Sequence, residues 1–261
     1  KENVIFGLTF TMHYDGIALL MMLLTAFSFP LIFLSNYNRE LSSSPLFHAL
    51  AFFMQTGLFG VFIAGDGVLF YIFWEFTLIP IFLILYWFGN GNYATLVKFF
   101  IYTMVGSLAM LLSLIWLKQY AVSFAYGDLI AAQLSEKEGF WIMAGFMLAF
   151  AIKIPVFPFH TWQPNTYSTA PMAGTMLLSA LMLKMALYGM IKWMIPLAPE
   201  GLANMKWIVV VLGIIGIIYG GIIAIKQTDI KKIFAYASIS HLGLIAAGIM
   251  IFSQNSISAS M

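Results

Sequence analysis

Three charged residues stand deep inside long apolar stretches of the chain. Glu75 lies in FYIFWEFTLIP, Lys153 in FAIKIPVFPFH and Lys184 in SALMLKMALYG. A charge at the centre of a bilayer costs about 2.5 kcal/mol or more, so such residues are as a rule paired, hydrated or functional. His241, in ASISHLGLIA, is a fourth titratable group in a similar setting. The pattern favours proton transfer, with histidine passing protons between lysines through water.

Lys153 also stands where its helix must break. Pro155 and Pro158 lack a backbone N–H, so the carbonyls of Ala151 and Ile154 lose their helical partners. Inside a bilayer such carbonyls must be satisfied by protein or water, and irregular backbone is tolerated where it lines a cavity. We therefore expect a hydrated pocket, in which the charge of the lysine responds to the position or protonation of a nearby carboxylate.

Each candidate also has a purely structural interpretation. Glu75 and Lys153 could form an inert buried ion pair that only fixes helix register. Lys184 could extend its amine towards the membrane interface, although it lies well inside its segment. His241 could donate to a backbone carbonyl, and His160, just past the second proline, could cap the broken helix. Both interpretations stay open at this point.

The composition is that of a membrane protein. Of 261 residues, 62% are hydrophobic and 8% charged, whereas soluble domains are nearer a quarter charged. The net charge of +2 argues against a nucleic-acid partner. The absence of cysteine excludes iron–sulfur ligation by this chain, so any redox centre must lie in a partner. Because the first residue is not Met and the last nine are SQNSISASM, we expect a piece of a longer chain.

Eight apolar segments have roughly the length that a membrane-spanning helix needs. They cover residues 16–35, 47–65, 68–88, 97–118, 140–158, 171–195, 207–225 and 233–252. The sequence therefore predicts an all-α membrane protein, a polytopic bundle of about eight transmembrane helices with one broken at Pro155 and Pro158. Residues 1–15 include an alternation of apolar and polar side chains that predicts a short strand outside the bilayer.

Smaller features bear on the ends and the packing of these helices. Asp66 and Asp229 precede apolar runs and are predicted to cap helix starts. A glycine-rich stretch predicts close approach of another helix; its glycines are Gly213, Gly216, Gly220 and Gly221. Basic residues divide equally between the two sides, and the short basic loop at 226–232 favours the cytoplasm for its side.

Four stretches, in this order, resemble the antiporter-like membrane subunits of proton-pumping NADH:quinone oxidoreductase, respiratory complex I. They are FYIFWEFTLIPIFLI, AFAIKIPVFPFHTWQPNTYSTAP, MLLSALMLKMALYGMIKWMIP and QTDIKKIFAYASISHLGLI. The pattern at 170–189 resembles subunit M, also called chain 4, more than subunits L and N. The resemblance implies two inverted repeats of five helices, with the first at 46–195 after a helix and loop at 16–45. Residues 196–261 would begin the second repeat, which is incomplete.

The resemblance also implies a proton-transfer role for each candidate residue. Glu75 matches the family's acid, Lys153 the lysine at the broken helix, and Lys184 the linking lysine on the next helix. His160 matches the histidine of the PFHTW motif, and His241 the relay histidine of the SH-x-G motif. In the family the glutamate is held to switch the protonation of its lysine, and protons move along a hydrated central axis.

One loop departs from the family pattern. Where the family often reads LPDAH, residues 163–167 read Gln-Pro-Asn-Thr-Tyr, which replaces the acid and the second histidine. We therefore assign this loop no proton role. The second broken helix is also missing, so we do not expect this chain alone to form a complete proton route.

The function implied by the resemblance is that of a non-redox subunit in a proton-translocating NADH:quinone oxidoreductase. Flavin and iron–sulfur clusters are expected in partner subunits, with no cofactor or metal in this chain. Its expected partners are other membrane subunits, including neighbouring antiporter-like subunits, in the lipid bilayer of a bacterial inner membrane. A monovalent cation/proton antiporter subunit is the first alternative, since its homologous chains share the Glu–Lys arrangement. A structural scaffold with inert charges is the second.

Overall fold

The computed structural model describes residues 11–37, 43–91 and 93–258, with side chains up to residue 251. The first half contains α1 (Gly16–Ser35), α2 (Pro45–Ile63), α3 (Gly67–Phe88), α4 (Tyr93–Leu117) and the short α5 (Tyr126–Ile130). Next come α6 (Glu136–Lys153) and α7 (Gln163–Thr169) on either side of the proline-containing segment. A helix interrupted by two π-helical turns follows as α8 (Met172–Leu177), α9 (Leu183–Gly189) and α10 (Ile195–Leu197). The last two helices are α11 (Leu202–Lys226) and α12 (Ile230–Ser258).

Seven helical stretches in the described part of the chain are long and apolar enough to cross a membrane. They are Gly16–Ser35, Pro45–Ile63, Gly67–Phe88, Tyr93–Tyr120, Met172–Leu197, Pro199–Lys226 and Ile230–Ile251. The remaining predicted segment, residues 140–158, falls largely on the 18-residue helix α6. This helix begins with three charged residues and ends at Lys153. The predicted all-α, multi-pass membrane architecture is confirmed, and the predicted break lies where α6 ends.

Both predicted aspartate caps are present. The Asp66 carboxylate accepts hydrogen bonds from the backbone N–H groups of Val68 and Leu69 at 2.8 and 3.2 Å. The Asp229 carboxylate accepts from the N–H of Lys231 at 2.9 Å. Each cap satisfies N–H groups at the first turn of α3 or α12 that have no partner within the helix.

Helices α11 and α12 pack closely at two of the four predicted glycines, Gly213 and Gly220. A Cβ atom on Gly213 would lie 2.6 Å from the Gly243 carbonyl oxygen, and one on Gly220 would lie 2.8 Å from that of Tyr236. The residue numbers of the contacts decrease along α12 as they increase along α11, so the two helices run antiparallel. A Cβ atom on Gly221 would meet no atom within 4 Å, so Gly221 takes no part in this approach.

Of the predicted N-terminal strand, residues 1–10 lie outside the described residues. Within the part that is described, Met12 forms a single antiparallel bridge with Ala64. The Gly65 N–H donates to the Thr11 carbonyl at 2.9 Å. This segment therefore contacts the connection between α2 and α3, and its position outside a bilayer stays a prediction.

A polar cluster follows at the start of α1. Asp15 forms a 2.6 Å ion pair with Lys192, whose carbonyl accepts a hydrogen bond from the Tyr126 hydroxyl at 2.8 Å. Pro196, four residues on, has no N–H to donate to that carbonyl, and the Tyr126 hydroxyl supplies a donor. Burial raises the pKa of Asp15, but the hydrogen bonds from Lys192 and the Ala18 N–H outweigh it, so the pKa lies below its ordinary value. This cluster attaches the start of α1 to the interrupted helix.

Candidate functional site

The helix break at Lys153 is closed by protein groups. The Ala151 carbonyl, predicted to lose its partner, accepts from the Val156 N–H at 2.8 Å. This bond reaches five residues along the chain instead of four, so the Ile152 carbonyl loses its usual donor. The indole N–H of Trp162 donates to that carbonyl at 2.8 Å. The backbone can therefore turn at this depth with these two carbonyls satisfied.

Lys153 is a buried amine, 3% exposed, at the last residue of α6. Its Nζ lies 5.5 Å from the centre of the Trp74 ring, within the range of a cation–π interaction. The Trp74 ring also contacts Phe150 of the same helix α6, with ring centres 5.5 Å apart. Lys153 is therefore held against the aromatic residue that directly precedes Glu75.

Glu75 and Lys153 interact through space without touching. The Glu75 carboxylate is the charge that acts on Lys153, but no nitrogen–oxygen contact within the 4.0 Å of a salt bridge joins them. Within the described chain the buried Oε1 of Glu75 has no hydrogen-bond partner. A buried, unpaired carboxylate oxygen is costly, so this atom favours any change that supplies a proton or a donor. The inert contacting ion pair considered above is not formed.

Lys184 is held by a π-helical turn. In the segment Leu178–Met182 the N–H of Leu183 donates to Leu178, five residues back, and not to Ser179. The Lys184 amine donates to the Ser179 carbonyl at 2.5 Å. Single π-turns within α-helices occur frequently at functional sites. The half-buried Lys184 thus sits on α9, which packs against the helix that ends in Lys153.

The two histidines differ in their surroundings. His160 is 4% exposed, stacks on Phe157 with ring centres 5.6 Å apart, and meets the edge of Tyr219 of α11 at 4.8 Å. Its Nδ1 has no hydrogen-bond partner among the residues that the structure describes. His241 is exposed on α12. The structure therefore places His160 inside the bundle and His241 on its surface, and the roles of both stay predictions.

An apolar cleft of about 380 Å³ lies between α4 and α6, next to the helix break that follows Lys153. It is lined by Ile101, Tyr102, Val105, Leu148, Ile152 and Phe159. Lys153 is not among them, and so the cleft is not the predicted pocket around this amine. Hydration of Lys153 stays a prediction. Within the described ranges no group of three or more His, Asp or Glu side chains could hold a metal ion.

Sequence reasoning missed the residues that hold the charged groups. Trp74 was visible only as a neighbour of Glu75, and nothing in the sequence showed that its ring would face Lys153. Trp162 lies ten residues beyond the carbonyl that it binds, a spacing with no periodic signature. The Ser179 carbonyl becomes available through a π-turn that contains neither proline nor glycine.

A broken helix with a buried lysine, a nearby glutamate and a second lysine on a neighbouring helix is the arrangement that the resemblance to antiporter-like membrane subunits implied. The chain belongs to the family described as NADH:quinone oxidoreductase/Mrp antiporter, transmembrane region, whose model matches residues 64–261. Within this family it is similar to subunit M of NADH-quinone oxidoreductase, as the relatives below indicate.

Subunit M from Escherichia coli strain K12 is 38% identical over 261 residues, which cover 95% of this chain and 51% of the relative. Subunit M from Pseudomonas aeruginosa is 37% identical, with the same two coverages of 95% and 51%. A chain of respiratory complex I from Thermus thermophilus with bound NADH has a TM-score of 0.79 and 34% identity. That match covers 90% of this chain and 49% of the other. The chain thus spans about half the length of the curated relatives it matches.

Proposed function

We propose that the chain contributes a proton-transfer path to the membrane part of a NADH:quinone oxidoreductase, where electron transfer in partner subunits drives proton movement. The observation that carries the proposal is the buried amine of Lys153. It lies at a helix break, over Trp74 and beside a carboxyl group that it does not contact. An amine held by a ring and not by an ion pair is free to respond to a change in the charge or position of Glu75.

The proton path runs through five groups in this proposal. Glu75 and Lys153 form the switch, because moving the amine from Trp74 towards the unpaired Glu75 oxygen would give both groups a partner. Lys184 lies on the neighbouring α9, where its amine donates to one backbone carbonyl, and it receives the proton next. His160 and His241 act as relays, and ordered water completes the gaps between the groups. None of these steps transfers electrons.

The redox chemistry belongs to partner subunits. Iron–sulfur clusters are held by cysteine thiolates, and this chain has no cysteine. We therefore assign the flavin and the iron–sulfur clusters to partners, and this chain to the non-redox part of the enzyme. The partners would include neighbouring antiporter-like subunits, in a bacterial inner membrane like that of the bacteria whose subunit M it resembles.

The test is proton pumping by the complete complex that contains this chain, reconstituted in proteoliposomes. Lys153→Ala and Glu75→Gln each remove one member of the switch, and we expect each to lower the number of protons pumped per NADH oxidised. Lys137→Ala is the matched control, since it removes the same charge from an exposed position on the same helix. Unchanged pumping in both switch variants would favour an inert scaffold and contradict the proposal.

The second candidate is a subunit of a monovalent cation/proton antiporter, because the matching family is described by both activities. The two candidates differ in their partners and in their ion. Co-purification with quinone reductase subunits and pumping driven by NADH in the absence of Na⁺ support the first. Isolation with antiporter subunits alone, with proton movement that requires Na⁺ or K⁺ on the opposite side, supports the second.

A further inference from the structure

Two buried side chains of α7 have polar atoms left over. Gln163 is 0% exposed and Tyr167 is 1% exposed. Among the described residues, neither the Gln163 Oε1 atom nor the Tyr167 hydroxyl has a hydrogen bond of good geometry, although the Tyr167 hydroxyl lies close enough to the Gln163 side chain to interact with it. The two residues are four positions apart on one helix and therefore share a face. Both lie in the loop 163–167 that departs from the family pattern, for which we expected no proton role from the sequence.

The amide of Gln163 is oriented by α12. Its Nε2 donates to the Ser238 hydroxyl at 2.9 Å, and that hydroxyl donates to the Ala235 carbonyl at 2.8 Å. Because the serine proton is committed to the carbonyl, Ser238 can only accept from the glutamine. The NH₂ group of Gln163 therefore points to α12, and its carbonyl oxygen is directed away from that bond. We call Gln163, Tyr167 and Ser238 the α7–α12 junction.

The leftover atoms are chemically complementary to water. Leaving a buried polar atom unpaired costs about 1–3 kcal/mol, and the junction holds two of them. The glutamine oxygen can only accept, whereas the tyrosine hydroxyl can both donate and accept. A buried water typically makes about three hydrogen bonds to groups of this kind. A direct bond between the two side chains would satisfy only part of their capacity.

Resting on the proposed function, we propose that the α7–α12 junction binds ordered water between Gln163 and Tyr167, and that the Tyr167 hydroxyl is a neutral proton relay between the broken helix and α12. In each transfer the hydroxyl oxygen accepts a proton from a hydronium-like water on one side. It releases its own proton to water on the other side. One O–H bond forms as another breaks, so the tyrosine is unchanged and no oxidant or metal is needed.

The test compares three variants in the complete reconstituted complex. Tyr167→Phe removes only the hydroxyl, and we expect the rate of proton pumping to fall by about a hundredfold, the lower end of what a positioned proton-transfer group contributes. Tyr167→His puts a titratable relay in its place and is expected to restore pumping. The restored rate should acquire a pH dependence set by the buried imidazole, whose pKa burial lowers from the ordinary value of about 6.5. Tyr188→Phe is the control, since its buried hydroxyl donates to the Phe62 carbonyl away from the junction.

The outcomes separate this inference from the proposed function. Loss of pumping in Lys153→Ala with normal pumping in Tyr167→Phe overturns the relay and leaves the proposed function standing. Normal pumping in both variants overturns both. The presence of water at the junction is tested independently by cryo-electron microscopy of the complex, at a resolution that shows ordered water. Density between the two side chains that disappears in Tyr167→Phe supports the site, and its absence in the unaltered complex overturns it.

Discussion

Trp162→Phe should destabilise the protein by removing the donor that closes the helix break. The indole N–H donates to the Ile152 carbonyl at 2.8 Å, and the side chain is 2% exposed. No helical N–H can replace it, because the Val156 N–H donates to Ala151. In the unaltered protein the ring centres of Phe99 and Trp162 lie 5.2 Å apart. Phenylalanine at 162 keeps an aromatic ring beside Phe99 but leaves the Ile152 carbonyl buried without a donor.

The chain offers a matched control for the size of this effect. Trp193 is 0% exposed and stacks on Phe70 at 4.7 Å, but its indole N–H has no partner among the described residues. Trp193→Phe therefore removes a similar volume together with an unpaired donor. An unpaired buried group costs about 1–3 kcal/mol, which Trp162→Phe adds and Trp193→Phe removes. Hydrogen bonds within membranes average about 0.6 kcal/mol and reach about 1.7 kcal/mol, so we expect Trp162→Phe to be less stable than Trp193→Phe by about 1–3 kcal/mol.

The assay is thermal unfolding of the purified protein in lipid nanodiscs, followed by circular dichroism at a helix band. The loss of volume is common to both variants, so the difference between their melting temperatures reports the hydrogen bond. Trp162→Phe is expected to melt clearly below Trp193→Phe. Equal melting temperatures, or a lower one for Trp193→Phe, would refute the account of how the break is closed.

Two further predictions concern packing and pH. Gly213→Leu should destabilise the contact of α11 with α12 by about 1–3 kcal/mol, because its Cβ would lie 2.6 Å from the Gly243 carbonyl oxygen. A Cβ atom on Gly221 would have no atom within 4 Å, so Gly221→Leu should not destabilise this contact. Equal melting temperatures for the two variants would contradict the packing. Since the folded pKa of Asp15 is lowered, its ion pair with Lys192 stabilises the fold above the ordinary carboxyl pKa and is lost as pH falls through the lowered value. Asp15→Asn should therefore remove up to about 1 kcal/mol of stability at neutral pH and flatten the fall in melting temperature below about pH 4; an unchanged slope would argue against the ion pair.

The sequence alone could predict what depends on one stretch of chain. Apolar runs long enough to span a bilayer predict helices, and an aspartate before such a run predicts a cap, as at Asp66 and Asp229. The break after Lys153 follows from two prolines that lack an N–H. Each of these features is local, because the groups that make or fail to make the hydrogen bond lie within a few residues of each other.

What the sequence could not predict is which side chains meet across helices. Glu75 and Lys153 were expected to pair or to switch, but the position of the amine over Trp74 depends on how α3 and α6 pack. The π-turn that frees the Ser179 carbonyl has no composition signal, since Leu178–Met182 contains neither proline nor glycine. The burial of Gln163 and Tyr167 depends likewise on contact between α7 and α12, which are distant in sequence.

The amines of the two intramembrane lysines are both held by weak contacts, which affects how readily each could release a proton. Lys153 is held by an aromatic ring and Lys184 by one backbone carbonyl, and among the described residues neither amine contacts a carboxylate. A contacting buried ion pair is hard to separate, because removing one partner costs about 3–5 kcal/mol. A cation–π contact is worth about 0.5–2 kcal/mol, so an amine held by it can be displaced by a modest change in its surroundings. Such weak attachment is what a reversible proton carrier requires, and it follows that replacing Trp74 by a carboxylate would trap the charge of Lys153 instead of strengthening the site.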